Sequence, residues 1–265
     1  MKKFTYLALA FAMTVSLTAC GGKQPTQADN SDKIYVQDKG TLVVGITEFE
    51  PMDYQNANGE WIGFDADLAK AFAESLGVEA EFQVIEWDNK TMELEGKTID
   101  VVWNGMTLTD EVKSAMACSN PYFNNAQVVI VKSDKAAQYQ TADSVKSLNF
   151  AVENGSAGQE QVEAIGASFT PVLDQATALL EVQAGTSDAA VIDYLMAAAT
   201  VGEGTSYADL VYTCELNSEE YGVGFRKDSD LATALNDFFK SAYADGTMQQ
   251  IADNYGIGDK LIEQK

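Results

Sequence analysis

Leu42-Val43-Val44-Gly45-Ile46 is a continuous, largely β-branched run. A strand apolar on both faces has to be covered on both sides, so helices must flank the sheet it joins. The next segment supplies one. Asp65 is placed to cap a helix in which Leu68, Phe72 and Leu76 share a stripe with Ala69 and Ala73, and Gly77 ends it. The rhythm continues with a strand over 81–85, a helix over 89–95, a strand over 99–103, a short helix over 110–116 and an apolar strand over 128–131. After a polar gap at 132–143 it restarts, with strands over 149–152, 189–192 and 221–225. The helices of this half fall over 155–165, 176–182, 193–199, 229–243 and 247–255. Alternating strands and helices predict parallel sheet and right-handed crossovers. The scheme repeats without clear sequence repetition, which predicts two α/β lobes, the second inserted within the first.

The N-terminus sets an address. Lys2 and Lys3 precede an apolar run over 6–17, too short to span a bilayer, that closes on Leu17-Thr18-Ala19-Cys20. This layout resembles the bacterial lipobox, which implies cleavage of a signal peptide (1–19) and a diacylglycerol on the Cys20 sulfur. The mature chain is then expected outside the cytoplasm, tethered at the membrane through a flexible stalk (20–39) that is polar with Gly and Pro early. Loss of Lys2 and Lys3 leaves 15 basic against 40 acidic residues, a charge of −25. Such a surface repels nucleic acid and anionic headgroups and excludes both as partners. The chain has no histidine, which removes Ser-His-Asp and Cys-His catalysis and the commonest zinc ligand. Neither metal nor cofactor is expected. With Cys20 assigned to lipid, Cys118 and Cys214 are left, either as one disulfide, which the compartment and the even count favour, or as two separate buried thiols.

The segments LVVGITEFEPMDY, WIGFDADLAKAFAESLGV, WDNKTMELEGKTIDVVWNGMTLTDEV, SNPYFNNAQVVIV, VENGSAG, LLEVQAGTSDAAVIDYLM and EEYGVGFRKDSDL occur in this order. Together they resemble the polar amino-acid-binding proteins of ABC importers, the bacterial extracellular solute-binding proteins of family 3. The resemblance implies a two-lobed periplasmic-binding-protein-like fold of type II, with lobe 1 from 40–123 and 220–265 and lobe 2 from 124–219. Two crossing segments would join the lobes, and the ligand would be held in the cleft between them. It further implies a monomeric, lipid-anchored capture protein that closes over an amino acid or a related amine-bearing solute and delivers it to an ABC permease.

The resemblance assigns cleft roles residue by residue. Phe49 and Trp87 would form aromatic walls, the indole offering apolar contact and cation–π attraction. Asn104, Gly105 and Thr107 would meet the ligand's α-carboxylate, with a turn as the plain alternative for Asn-Gly. Ser156 would open a helix whose amides attract a carboxylate, or simply cap it. Asp193 would hold the α-ammonium, its plain alternative being an N-cap worth ~1 kcal/mol. Cys118 and Cys214 lie near the two crossings, which run side by side in the family and would suit a bridge.

One position departs from the pattern. The family places an arginine that grips the α-carboxylate where this chain has Val112. The loop around Phe49 is also one residue short, with Glu48 or Thr47 as stand-ins for an acid. Lys113 is rotated ~100° around the helix from Val112; Lys90 or the amides at Ser156 are other sources of compensation. This implies an altered ligand, such as a modified amino acid, an amine or a small peptide, or else a plain α-amino acid held by hydroxyls and amides. Two rival functions share the scaffold: a cyclohexadienyl-dehydratase-like enzyme using Glu48, Glu86 or Asp88, and a ligand-binding partner of a sensor.

Overall fold

The computed structural model describes residues 31–265, so the signal segment, Cys20 and the first part of the expected stalk lie outside the described residues. A helix occupies 32–39, where the end of the stalk was expected. Ser31 caps α1 (Asp32–Lys39) by accepting from the Ile34 amide at 3.1 Å. Val36 on α1 is fully buried, and Asp32 meets Arg226 at 3.0 Å. Arg226 also donates to the Ile99 carbonyl at 2.9 Å and, together with Lys39, faces the buried Asp100. The polar letters of this segment make specific pairs, which is why composition alone misread it as solvated chain.

The chain then lays down β1 (Thr41–Ile46), a small hairpin of β2 (Tyr54–Gln55) and β3 (Trp61–Ile62), α2 (Phe64–Leu76) and β4 (Glu79–Val84). It continues with α3 (Lys90–Glu95), β5 (Val101–Thr107), α4 (Asp110–Ala115) and β6 (Ala117–Cys118), and leaves through β7 (Phe123–Asn125). The second lobe contains β8 (Gln127–Lys132), α5 (Ala142–Val145), β9 (Asn149–Glu153), α6 (Ala157–Ile165) and β10 (Ser168–Val172). It ends with α7 (Gln175–Ala184), β11 (Ala189–Asp193), α8 (Tyr194–Thr200) and β12 (Leu210–Glu215). The chain returns through β13 (Glu219–Phe225) and finishes on α9 (Leu231–Ala244) and α10 (Thr247–Asn254).

One sheet has the order β4-β1-β5-β13-β6, with β7 paired to β13, and the other β10-β9-β11-β8-β12. The parallel expectation holds for β1 with β4 and β5, and for β9 with β10 and β11. It fails for β13 against β5 and for β8 against β11 and β12, which are antiparallel. These strands join or adjoin the crossings, so they enter their sheets from the opposite end and owe nothing to a βαβ unit. The edge strands β10 and β12 were not legible in the sequence. Their side chains are largely half-exposed or exposed, and Pro171 sits in β10, where an edge position tolerates the missing donor.

The first lobe is centred on packed aromatic rings, among them Phe64, Phe72, Trp103, Tyr122, Phe123 and Phe239. The second lobe's own cluster is mostly aliphatic: Val129, Val131, Val152 and Val191 around Phe150. Full burial of each such side chain contributes about 1.5–3 kcal/mol.

The expected disulfide is absent: Cys118 and Cys214 are both free thiols. Cys118 packs with Val112 and Met116 in the first lobe, and Cys214 against the aliphatic cluster of the second. Proximity in sequence to the two crossings did not bring the side chains together, because each belongs to a different core. Among the described residues, no helix is long and apolar enough to cross a membrane.

Candidate ligand-binding cleft

The two crossings are a hydrogen-bonded pair of strands, with Phe123 opposite Tyr221 and Asn125 opposite Glu219. Beyond them the C-terminal ends of β5, β9 and β11 face a cavity of about 270 Å³ that takes its lining from both lobes. This is where open α/β sheets place ligands, since loops and helix starts converge there. The first lobe supplies Trp87, Asn104, Gly105, Met106, Thr107 and Val112, and the second Gln127, Glu153, Ser156, Gln175 and Asp193, with others.

Asp193 ends β11 and occupies the N-cap position of α8, yet its side chain makes no capping bond. Its carboxylate accepts instead from Asn125 Nδ2, Gln175 Nε2 and the Tyr221 hydroxyl, each at 2.6 Å. Burial, then the nearby Glu219, pushes its pKa up to about 7. Glu153 ends β9 in the same way and is 2% exposed. Burial first, then Asp193 and Asp174, push it up to about 8. Its Oε1 has no hydrogen-bond partner among the described residues.

Trp87 lines the cavity at 7% exposure, with the Lys90 ammonium 4.9 Å from its ring centroid. Lys90 Nζ also donates to the Trp87 carbonyl and, across the cleft, to the Gly155 carbonyl at 3.0 Å. The lobes approach closely here. A Cβ on Gly155, whose φ is +71°, would lie 2.9 Å from Asp88 Cα in the opposite lobe.

The remaining sequence-assigned residues differ in what they offer. Ser156 caps α6 by accepting from the Gln159 amide at 3.2 Å and also faces the cavity. Thr107 faces the cavity, but its hydroxyl donates to Glu219 at 2.9 Å. Asn104 lies in β5, not in a turn, and its amide is turned into the fold. Its Oδ1 accepts from the Thr47 amide and hydroxyl, and its Nδ2 donates to Asp53 at 2.8 Å. Gly105 has φ +55°, and a Cβ there would come within 2.5 Å of the Phe49 ring.

Phe49 itself departs from the sequence reading. It is 1% exposed, absent from the cavity lining, and meets Tyr221 edge-on at 6.3 Å. It lies against Gly105 and supports that part of the lining from the protein side. The short loop that carries it turns back at once, Phe49 bridging to Asp53.

Sequence reading missed Glu153 and Glu219, the latter on the crossing strand β13. Glu153 carried the same signal as Asp193, an acid at the C-terminal end of an apolar strand. Glu219 accepts from Thr107, Asn125 and Gln127, and no local pattern marks a residue whose partners come from three elements.

Comparison with known proteins agrees with this geometry. The chain is 32% identical to the L-cystine-binding protein TcyJ of Escherichia coli (strain K12) over 253 residues, covering 94% of each chain. It is 27% identical to the arginine-binding extracellular protein ArtP of Bacillus subtilis (strain 168), covering 98% of this chain and 100% of the other. The crystal structure of the P235GK mutant of ArgBP from T. maritima superposes with a TM-score of 0.79 at 32% identity, over 84% of this chain and 98% of that one. Residues 42–258 match the profile of the bacterial extracellular solute-binding proteins, family 3, and the chain belongs to that family.

Proposed function

We propose that this protein is the extracytoplasmic substrate-binding component of an ABC importer, held at the membrane by lipid on Cys20. It captures an amino acid or a related small amine-bearing solute as a monomer and presents it to the permease. The observation that carries this reading is the single cavity lined by Trp87 from one lobe and Asp193 from the other. A solute touching both walls gains its full contact only when the lobes are together, so its differential affinity favours the closed form. The paired crossing strands are suited to act as the hinge. Capture without turnover is supported by the relatives, which are binding proteins.

Mass spectrometry of small molecules released from the purified protein by mild denaturation tests the reading. An amine-bearing solute is expected at near one-to-one stoichiometry, and its re-addition to stripped protein should lower the radius of gyration in solution scattering. Conversion of that solute by the protein would support the dehydratase alternative instead.

A further inference from the structure

Within the solute-capture reading, on which this step rests, we infer that the cleft is built for a cation without a carboxylate: a small amine held by Glu153 and Asp193. The charged groups that would grip a ligand carboxylate are missing or already bonded, and the donors that remain at the start of α6, the Ser156 hydroxyl and the Ala157 amide, are neutral. Position 112 is valine and lines the cavity. Lys90 is the one basic side chain on the lining among the described residues, and its ammonium is bound to two backbone carbonyls and lies against Trp87. The Thr107 hydroxyl is given to Glu219. At the start of α6, the Gly155 amide donates to Gln159 Oε1 at 2.9 Å and the Ser156 amide to the Glu153 carbonyl at 3.3 Å. Glu160 lies in the first turn of that helix, so negative charge is already placed against its dipole. A ligand carboxylate brought there would meet the Glu160 carboxylate, and that of Glu153 wherever it is ionised.

Acceptors, by contrast, are in surplus. Glu153 is 98% buried and lines the cavity, with Oε1 lacking any partner among the described residues. A buried acceptor left open costs free energy, and a ligand N–H is the donor that would satisfy it. Asp193 presents a second carboxylate, its neighbours Asn125, Gln175 and Tyr221 fixing its orientation. A charge-assisted pair to each acid gives an ammonium or amidinium group a stronger hold than neutral contacts would.

Calorimetric titration with two matched pairs separates the alternatives: lysine against cadaverine, and arginine against agmatine. Each pair differs by one carboxylate. The decarboxylated member is expected to bind at least tenfold more tightly in one pair or both. Glu153→Gln should weaken that amine at least tenfold, with a melting temperature no lower than that of the parent protein. Tighter binding of the amino acids overturns the inference and leaves solute capture standing, as does undiminished amine binding by Glu153→Gln. Binding of none of the four overturns the inference, while solute capture is judged separately by the molecule released from the purified protein.

Discussion

The two walls of the cleft are made from different chemistry. The first-lobe wall sets Trp87, Met106, Val112 and Ala115 beside Asp88, Lys90, Glu111 and three threonines; the second-lobe wall, apart from Gly155 and Ala157, is polar throughout, with Glu153, Glu160 and Asp193 among its acids. All the larger apolar side chains come from one wall, and the other is almost wholly polar. Neither is a site alone. Charge held against an apolar face acts more strongly than the same charge in solvent, which is why the proposed capture needs both walls.

The largest expected effect comes from disarming the charged wall. Asp193→Asn keeps the shape and removes the ionised acceptor. Because losing one partner of a buried ionic contact costs about 2–5 kcal/mol, a cationic solute should bind at least 30-fold more weakly by calorimetry. An unchanged affinity would break the division of labour described here.

A smaller effect follows from keeping the walls apart. Gly155→Ala places a methyl group 2.6 Å from Asp88 Oδ1, on a backbone with φ +71°. Strain of this kind costs about 1–3 kcal/mol, so affinity should fall roughly 5- to 150-fold while the ligand-free protein keeps its fold. Solution scattering should then show a more open average form.

The smallest is a pH effect. Free carboxyls at Asp193 and Glu153 would titrate at 3.8 and 4.5, but in the fold they do so at about 7 and about 8. The folded state therefore retains protons that the unfolded chain has released. The stability these groups contribute is fully present below their unfolded values and is lost as pH rises through their folded values. The surrounding charges are Asp193, Asp174 and Lys90 at Glu153, and Glu219 at Asp193, with Tyr221 its neutral partner. Between pH ~5 and ~8 the ligand-free melting temperature should fall by several degrees. Stabilisation by a bound amine should grow over the same range.

The order of strands and helices was legible in the sequence because runs such as 42–46 and 189–192 are apolar on both faces. The main core helices showed their stripes equally plainly. What escaped was structure held by pairing across long separations. α1 depends on Arg226, nearly two hundred residues away, and β10 and β12 are edges with no strong pattern of their own. The cleft divided in the same way. Trp87, Thr107, Ser156 and Asp193 sit at ends of elements whose position could be read, and all line the cavity. Phe49 was misplaced because a bulky ring in a loop looks identical whether it faces a ligand or the back of Gly105. Val112 was visible in the sequence as a departure from the family pattern, but the bonding of the donors around it was not.

Strand β13 lies between β5 and β6 in the first sheet, yet it is made only after the whole second lobe. The earlier-born half of the molecule therefore waits, its sheet incomplete and its Arg226 anchor not yet synthesised, while the continuous stretch from β8 to β12 already contains every strand of its own sheet. Contacts close in sequence form before distant ones. The inserted lobe thus has the means to collapse first and act as a template on which the surrounding halves are brought together. The paired crossing strands would then also be the last seam of folding.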